Sequence, residues 1–182
     1  LALVAAMGLT VLSAADPGPA FSNMLLVDEF GTFFRFLVLA VGVLTILISA
    51  NYLRAGNHVA GEYYALLLFS IVGQCLMATG NELIILFIGL EVSSISSYVL
   101  AGYLRDDKRN NEAALKYFLL GSFATAFLLY GIAWIYGITG TTELTQIRAA
   151  LLDPAVRPNP VLVLAASAFL FVGLAFKVSA AP

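Results

Sequence analysis

The stretch LFIGLEVSSISSYVL, residues 86–100, holds a single carboxylate, Glu91, inside an apolar run that begins at Leu83. No basic residue stands within a dozen positions of it on either side. An ionised side chain at the centre of a bilayer costs roughly 3 kcal/mol on insertion scales, and more by simulation. Either this segment lies outside a membrane, or Glu91 has a function that offsets the cost.

Composition decides between these readings. Hydrophobic residues make up 61% of the 182 residues and charged residues 11%. Mean hydropathy is +0.95. A soluble domain carries about 25% charged residues, so the chain reads as a polytopic membrane protein. Its fold class is all-α, a transmembrane helix bundle. The net charge of -2 includes no concentrated basic patch, which excludes a nucleic-acid binder. Cys75 is the only cysteine, so an internal disulfide and a cysteine-based metal site are excluded, and it reads as a small buried hydrophobe. The 13 Phe and 8 Tyr suit a lipid-facing surface with interfacial tyrosines. The first residues are apolar with no charged leader before them, and the last follow an apolar run. Both ends read as interior to a longer chain.

A membrane span takes about 20 mostly apolar residues. The chain divides into spans at about 1–15, 33–52, 63–79, 83–103, 113–136 and 161–177, the first clipped, all within a single transmembrane domain. Residues 15–23 (ADPGPAFSN), with Pro17 and Pro19, read as loop. Residues 53–62 read as a short loop holding His58 and Glu62, and GNE at 80–82 as a tight turn. LRDDKRNNE, 104–112, is a dense charge run between spans. The polar connection after Tyr136 has room for a short amphipathic helix from Glu143 to Leu152. No internal repeat is visible. Arg54, Arg105, Lys108 and Arg109 fall at one side, with Lys116 just inside a helix. Arg35, Arg148 and Arg157, together with Asp16, Asp28 and Glu29, fall at the other. This bias makes the 104–112 side the cytoplasmic one.

Glu91 lies about 12 Å along its helix from Leu83, near the middle of a bilayer core of about 30 Å. Ser94 and Tyr98 follow at i+3 and i+7, so Glu91 heads a polar stripe that can hold water or pass a proton. A carboxylate balanced between desolvation and a nearby cation is suited to taking up and releasing protons. The plainer alternative is a protonated glutamate bonded between helices. Lys116 has two readings as well: a relay lysine, or the partner of Glu112 in an ordinary i,i+4 pair. Lys177 ends FLFVGLAFK. It either snorkels to the interface or stays deep because its helix breaks at SAAP, as helices do at transporter ion sites. When Glu91 pairs with a lysine, that lysine keeps its proton; when the pair opens, desolvation favours release.

These residues have a familiar arrangement. GNELIILFIGLEVSSISSYVLAGYLRDDKRNNEAALKYFLLGSFATAFLLYGIAWIYGITGTTEL, residues 80–144, closely resembles the subunit N family of the proton-pumping NADH:quinone oxidoreductase, respiratory complex I. FKVSAAP, 176–182, looks like the start of that family's lysine-bearing broken helix. The resemblance is strong from about Tyr64 to Pro182, and RNNEAALKYFLLG favours subunit N over its sister antiporter-like subunits. It implies an antiporter-like helical membrane subunit, of which this chain holds the first half. Glu91 matches the family's buried glutamate, Lys116 the lysine opening the next helix, and Lys177 the lysine of the broken helix.

The resemblance further implies that the chain carries no cofactor of its own. NADH, FMN, iron–sulfur clusters and quinone would be bound by other subunits. Its partners would be the neighbouring antiporter-like membrane subunits and the lipid bilayer, with no nucleic acid. Its location would be a bacterial inner membrane. The reaction implied is proton translocation coupled to electron transfer from NADH to quinone. Two further readings stay open: a subunit of a multi-subunit Na+/H+ antiporter or membrane-bound hydrogenase-type complex, and a structural scaffold. A buried Glu91 argues against the scaffold, which gains nothing from a costly charge.

Overall fold

A computed structural model describes residues 1–55, 60–154 and 159–180. His58, Arg157 and Pro182 lie outside the described residues. The elements are α1 (Ala2–Ser13), β1 (Gly18–Ala20), β2 (Leu25–Val27), α2 (Glu29–Ala55), α3 (Ala60–Thr79), α4 (Leu83–Ala101), α5 (Lys108–Thr139), α6 (Leu144–Leu152) and α7 (Pro160–Lys177). Among the described residues, five helices are long and apolar enough to cross a membrane: α2, α3, α4, α5 and α7. The chain is a multi-pass, all-α membrane protein. α1, with 12 residues, covers about 18 Å, less than a bilayer core.

Several boundaries differ from the sequence reading, each for a local reason. The charge run is not all connection. Asp107 caps α5 by accepting from the Arg109 N–H at 2.8 Å, so Lys108–Glu112 are helical. Lys116 is therefore about 12 Å into α5, not in its opening turn. Glu62 belongs to the first turn of α3 and not to a loop. Its carboxylate meets Arg105 at 3.2 Å, tying α3 to the connection after α4. The tight turn at 80–82 is instead extended backbone: Gly80 bridges Leu25, and Glu82 bridges Glu143. The loop at 15–23 contains a hairpin, with Gly18 opposite Val27 and Ala20 opposite Leu25. The expected amphipathic helix is present as α6, with Glu143 at its N-cap.

The hairpin turns through Phe21, Ser22 and Asn23, all at positive φ of 52°, 55° and 70°. Such conformations cost about 1 kcal/mol or more for a residue with a Cβ. Asn81 holds the turn: its N–H donates to Met24 O at 2.9 Å and its side-chain amide to Asn23 O at 3.0 Å. The Asn23 amide donates in turn to Glu143. One end of the bundle is thus laced together from the hairpin, the start of α4 and the start of α6.

The bundle has two packed groups. Leu3, Leu39 and Ile71 form the centre of α1, α2 and α3. Leu90, Leu128 and Ile132 join α4 to α5, and Ile135, Ile147 and Ala166 join α5, α6 and α7. Small residues set the closest crossings, as membrane helices use close backbone approach where the hydrophobic effect gives little. Gly73 of α3 faces Gly89 of α4 so tightly that a Cβ on Gly89 would lie 2.8 Å from Gly73 O. A Cβ on Gly73 would strike Gly89 O and lie 2.6 Å from Ser93 N. These are backbone atoms, which cannot swing aside. Gly73→Leu is therefore expected to separate α3 from α4, at a cost of at least about 1–3 kcal/mol. Blue-native gels of membranes should show assembled complex reduced at least about fivefold, the ratio equivalent to 1 kcal/mol. A wild-type amount would contradict the crossing.

Candidate functional site

The end of α7 positions the first candidate side chain. The helix stops directly after Lys177. Ser179 N–H donates to Phe176 O at 3.1 Å and Ala180 N–H to Ala175 O at 2.9 Å, with Ser179 at φ 55°. This is a Schellman closure with serine where glycine is usual. The chain pays strain at Ser179 to halt the helix. The other end is fixed by Asn159, which accepts from Val161 N–H at 2.9 Å, with Pro160 at the first helical position. The register of α7 against α5 is set where Gly173 passes Ala124 O and Gly131 passes Leu170 N, contacts that a Cβ would meet at 3.0 and 2.8 Å.

With those constraints Lys177 is half-buried and turned onto α4. Its Nζ donates to Ser94 Oγ at 2.5 Å and to Tyr98 Oη at 3.0 Å. Ser94 donates its own proton to Leu90 O at 2.5 Å. Both acceptors are buried, at 7% and 4% exposure, so the ammonium exchanges water for hydroxyls. It also lies 5.3 Å from the centre of the Tyr98 ring, within cation–π range. Ser94 and Tyr98 are the i+3 and i+7 neighbours of Glu91, about 4.5 and 10.5 Å further along α4. The polar stripe read from the sequence is therefore continuous with Lys177.

Glu91 itself is half-buried between α4 and α5. Its Oε1 accepts from Thr125 Oγ1 at 2.9 Å. Neither Ser94 nor Tyr98 bonds the carboxylate. Among the described residues, no ion pair within 4.0 Å joins Glu91 to a lysine. Thr125 was not legible as a partner. It is a hydroxyl in an apolar helix, 34 positions from Glu91, and only the α4–α5 crossing brings the two together. Gly121 was equally silent. It lies one turn before Thr125, and a Cβ there would strike Tyr98 Oη. Tyr98 is held from its other side by Tyr117, ring centres 4.6 Å apart. Gly121→Val is therefore expected to displace the Tyr98 hydroxyl and remove one of Lys177's two acceptors. On the relay reading proposed below, proton uptake should fall at least about tenfold, as for a lost hydrogen bond of about 1.5–3 kcal/mol to a charged group. Uptake at the wild-type rate would show that Tyr98 is dispensable to Lys177.

Lys116 is not part of this group. Its Nζ meets Glu112 Oε1 at 2.5 Å in an i,i+4 pair with both side chains exposed, at 69% and 64%. It lies about 13.5 Å along α5 from Thr125. Its sequence neighbour Tyr117 does reach the site through the Tyr98 ring. Cys75 is half-buried and lines a cavity beside α1. Among the described residues, no group of three or more His, Cys, Asp or Glu is placed to hold a metal.

Five spanning helices that enclose a half-buried carboxylate and a half-buried lysine at a helix stop fit an antiporter-like membrane bundle. The family described as NADH:quinone oxidoreductase/Mrp antiporter, TM, matches residues 80–182, and the chain belongs to this family. Among named relatives, the chain is 59% identical over 182 residues to NADH-quinone oxidoreductase subunit N 1 of Solibacter usitatus, covering 100% of this chain and 37% of that protein. It is 47% identical over 165 residues to subunit N 2 of Koribacter versatilis, covering 91% and 33%. Among solved structures, a chain of respiratory complex I from Thermus thermophilus with bound aureothin superposes with a TM-score of 0.75 at 33% identity, covering 97% of this chain and 36% of that one. A chain of the membrane-bound sulfane sulfur reductase, an archaeal respiratory membrane complex, gives 0.77 at 26% identity, covering 93% and 36%. The chain spans about a third of the length of these relatives.

Proposed function

We propose that this chain is the first-half segment of a proton-translocating membrane subunit of an NADH:quinone oxidoreductase, with Glu91, Lys177 and Lys116 as its relay residues. The observation that carries the reading is the Lys177 ammonium resting on Ser94 and Tyr98, on the stripe headed by Glu91. Lys177 holds a proton against two hydroxyls. Ser94 accepts from Lys177 and stands one turn past Glu91 on α4, so a proton passing between the two would follow the stripe. Thr125 fixes one oxygen of Glu91 and leaves the other for exchange. Ionised Glu91 favours a charged Lys177; protonated Glu91 lets the lysine discharge. Lys116, on the 104–112 side, is the intake-side member, and its pairing with Glu112 sets when it is free. NADH oxidation and quinone reduction belong to other subunits in this reading, and the membrane is a bacterial inner membrane.

The fold alone does not choose among complexes, since two of different chemistry superpose equally well. Identity of 59% to a subunit N favours the quinone oxidoreductase over a Na+/H+ antiporter. The test is NADH-driven acidification of inverted membrane vesicles from cells whose own subunit is deleted and then restored. Restoration should return proton uptake, with sensitivity to quinone-site inhibitors and no dependence on Na+. Proton uptake that tracks a Na+ gradient and ignores NADH would establish the antiporter reading instead.

A further inference from the structure

Between α1, α2, α3 and the hairpin lies a cavity of about 590 Å³, open on one side. Leu3, Leu39, Leu68, Ile71 and Cys75 supply apolar wall, and among the described residues the one charged residue lining it is Arg35. On α3 the lining runs from Leu68 to Thr79, about 16 Å of helix, close to the depth of one leaflet of a core of about 30 Å. Its two ends differ in chemistry. The end at Leu68 and Leu3 is hydrocarbon; the other is marked by Arg35, Thr79 and the hairpin residues Ala20 and Phe21. The hairpin belongs to the end of the bundle where α3 stops and α4 starts, so the cationic end faces the membrane boundary.

Arg35 is half-buried and six residues into α2. Among the described residues no carboxylate approaches it within 4.0 Å and no side-chain hydrogen bond engages its guanidinium. Of the two acidic residues beside the start of α2, Asp28 is committed to the Gly31 N–H at 2.6 Å. A half-buried guanidinium without an anionic partner is costly. An anion delivered with its own hydrocarbon would offset that cost. We propose that this groove binds one anionic phospholipid, its phosphate on Arg35 and an acyl chain between α1 and α3. An apolar slot one leaflet deep matches the chain, and a single cation at the boundary end matches the headgroup. A bare phosphate would leave the slot unfilled, and a zwitterionic lipid would bring the cation of its own headgroup beside Arg35.

The test uses the intact complex in mild detergent. Photoreactive phosphatidylglycerol with a diazirine on its acyl chain is added, cross-linked and mapped by peptide mass spectrometry, beside a phosphatidylcholine analogue. Arg35→Gln and the groove-filling Val72→Trp are compared with wild type, with assembly checked on blue-native gels. The anionic probe should label residues of α1 and of 68–79. Arg35→Gln should lower that labelling about fivefold, the effect of one basic residue on an anionic lipid. Val72→Trp should lower labelling by both probes. Equal labelling by phosphatidylcholine, or unchanged labelling in Arg35→Gln, would overturn the headgroup assignment. Labelling absent from both helices would mean that protein covers the groove, and would overturn the proposal outright.

Discussion

Glu91→Gln is expected to lower NADH-driven proton uptake at least about a hundredfold, the lower reach of what a positioned proton-transfer group contributes. The amount of assembled complex should stay at the wild-type level. Glutamine has the same shape, and its carbonyl oxygen can accept the Thr125 hydroxyl that Glu91 now accepts at 2.9 Å. Removing a carboxylate from mid-bilayer also relieves an insertion cost of roughly 3 kcal/mol. What glutamine cannot do is exchange a proton. A structural role survives this substitution; a relay does not. Thr125→Val makes the converse change, keeping the acid and deleting its donor. Its effect should be smaller and should be rescued by Thr125→Ser, because serine restores the hydroxyl. Uptake that survives Glu91→Gln would return Glu91 to an interhelical hydrogen-bond partner.

Lys177→Met should have an effect of similar size. Methionine matches the apolar length of lysine and keeps the packing at the end of α7. It deletes the ammonium that donates to Ser94 at 2.5 Å and Tyr98 at 3.0 Å. Ser94 still donates to Leu90 O, while the buried Tyr98 hydroxyl loses the Lys177 donor and keeps its ring contacts with Tyr117 and Phe118. With assembled complex at the wild-type level on blue-native gels, loss of uptake would then report the proton and not the fold. Lys177→Arg keeps a positive charge but cannot release its proton at working pH. It should therefore resemble Lys177→Met in uptake while assembling normally. Arginine at wild-type rates would show that Lys177 serves only as a fixed charge.

The class of this fold could be read from the sequence because apolar runs of spanning length are a compositional signal. Glu91 stood out because a lone carboxylate in such a run is costly. The stop of α7 after Lys177 was also legible, although the serine that closes it was not. Ser179 adopts the left-handed conformation and the two Schellman bonds close the helix. The true start of α5 was missed because apolar counting ignores a capping aspartate followed by charged helix formers. The partners across the site were out of reach for a different reason. Thr125, Gly121 and Lys177 meet α4 only through tertiary crossings, and no local spacing encodes these. Arg35 looked like one of several loop-side charges. The cavity beside it appears only once α1 and α3 are placed.

The most direct measurement is a double-mutant cycle on proton uptake per NADH oxidised, using Glu91→Gln, Lys177→Met and the pair together in inverted vesicles. If the two residues pass one proton between them, the double variant should be no worse than the worse single one, as for groups that act as a unit. If the losses multiply, the two act independently, and the stripe from Glu91 through Ser94 to Lys177 is packing and not a path.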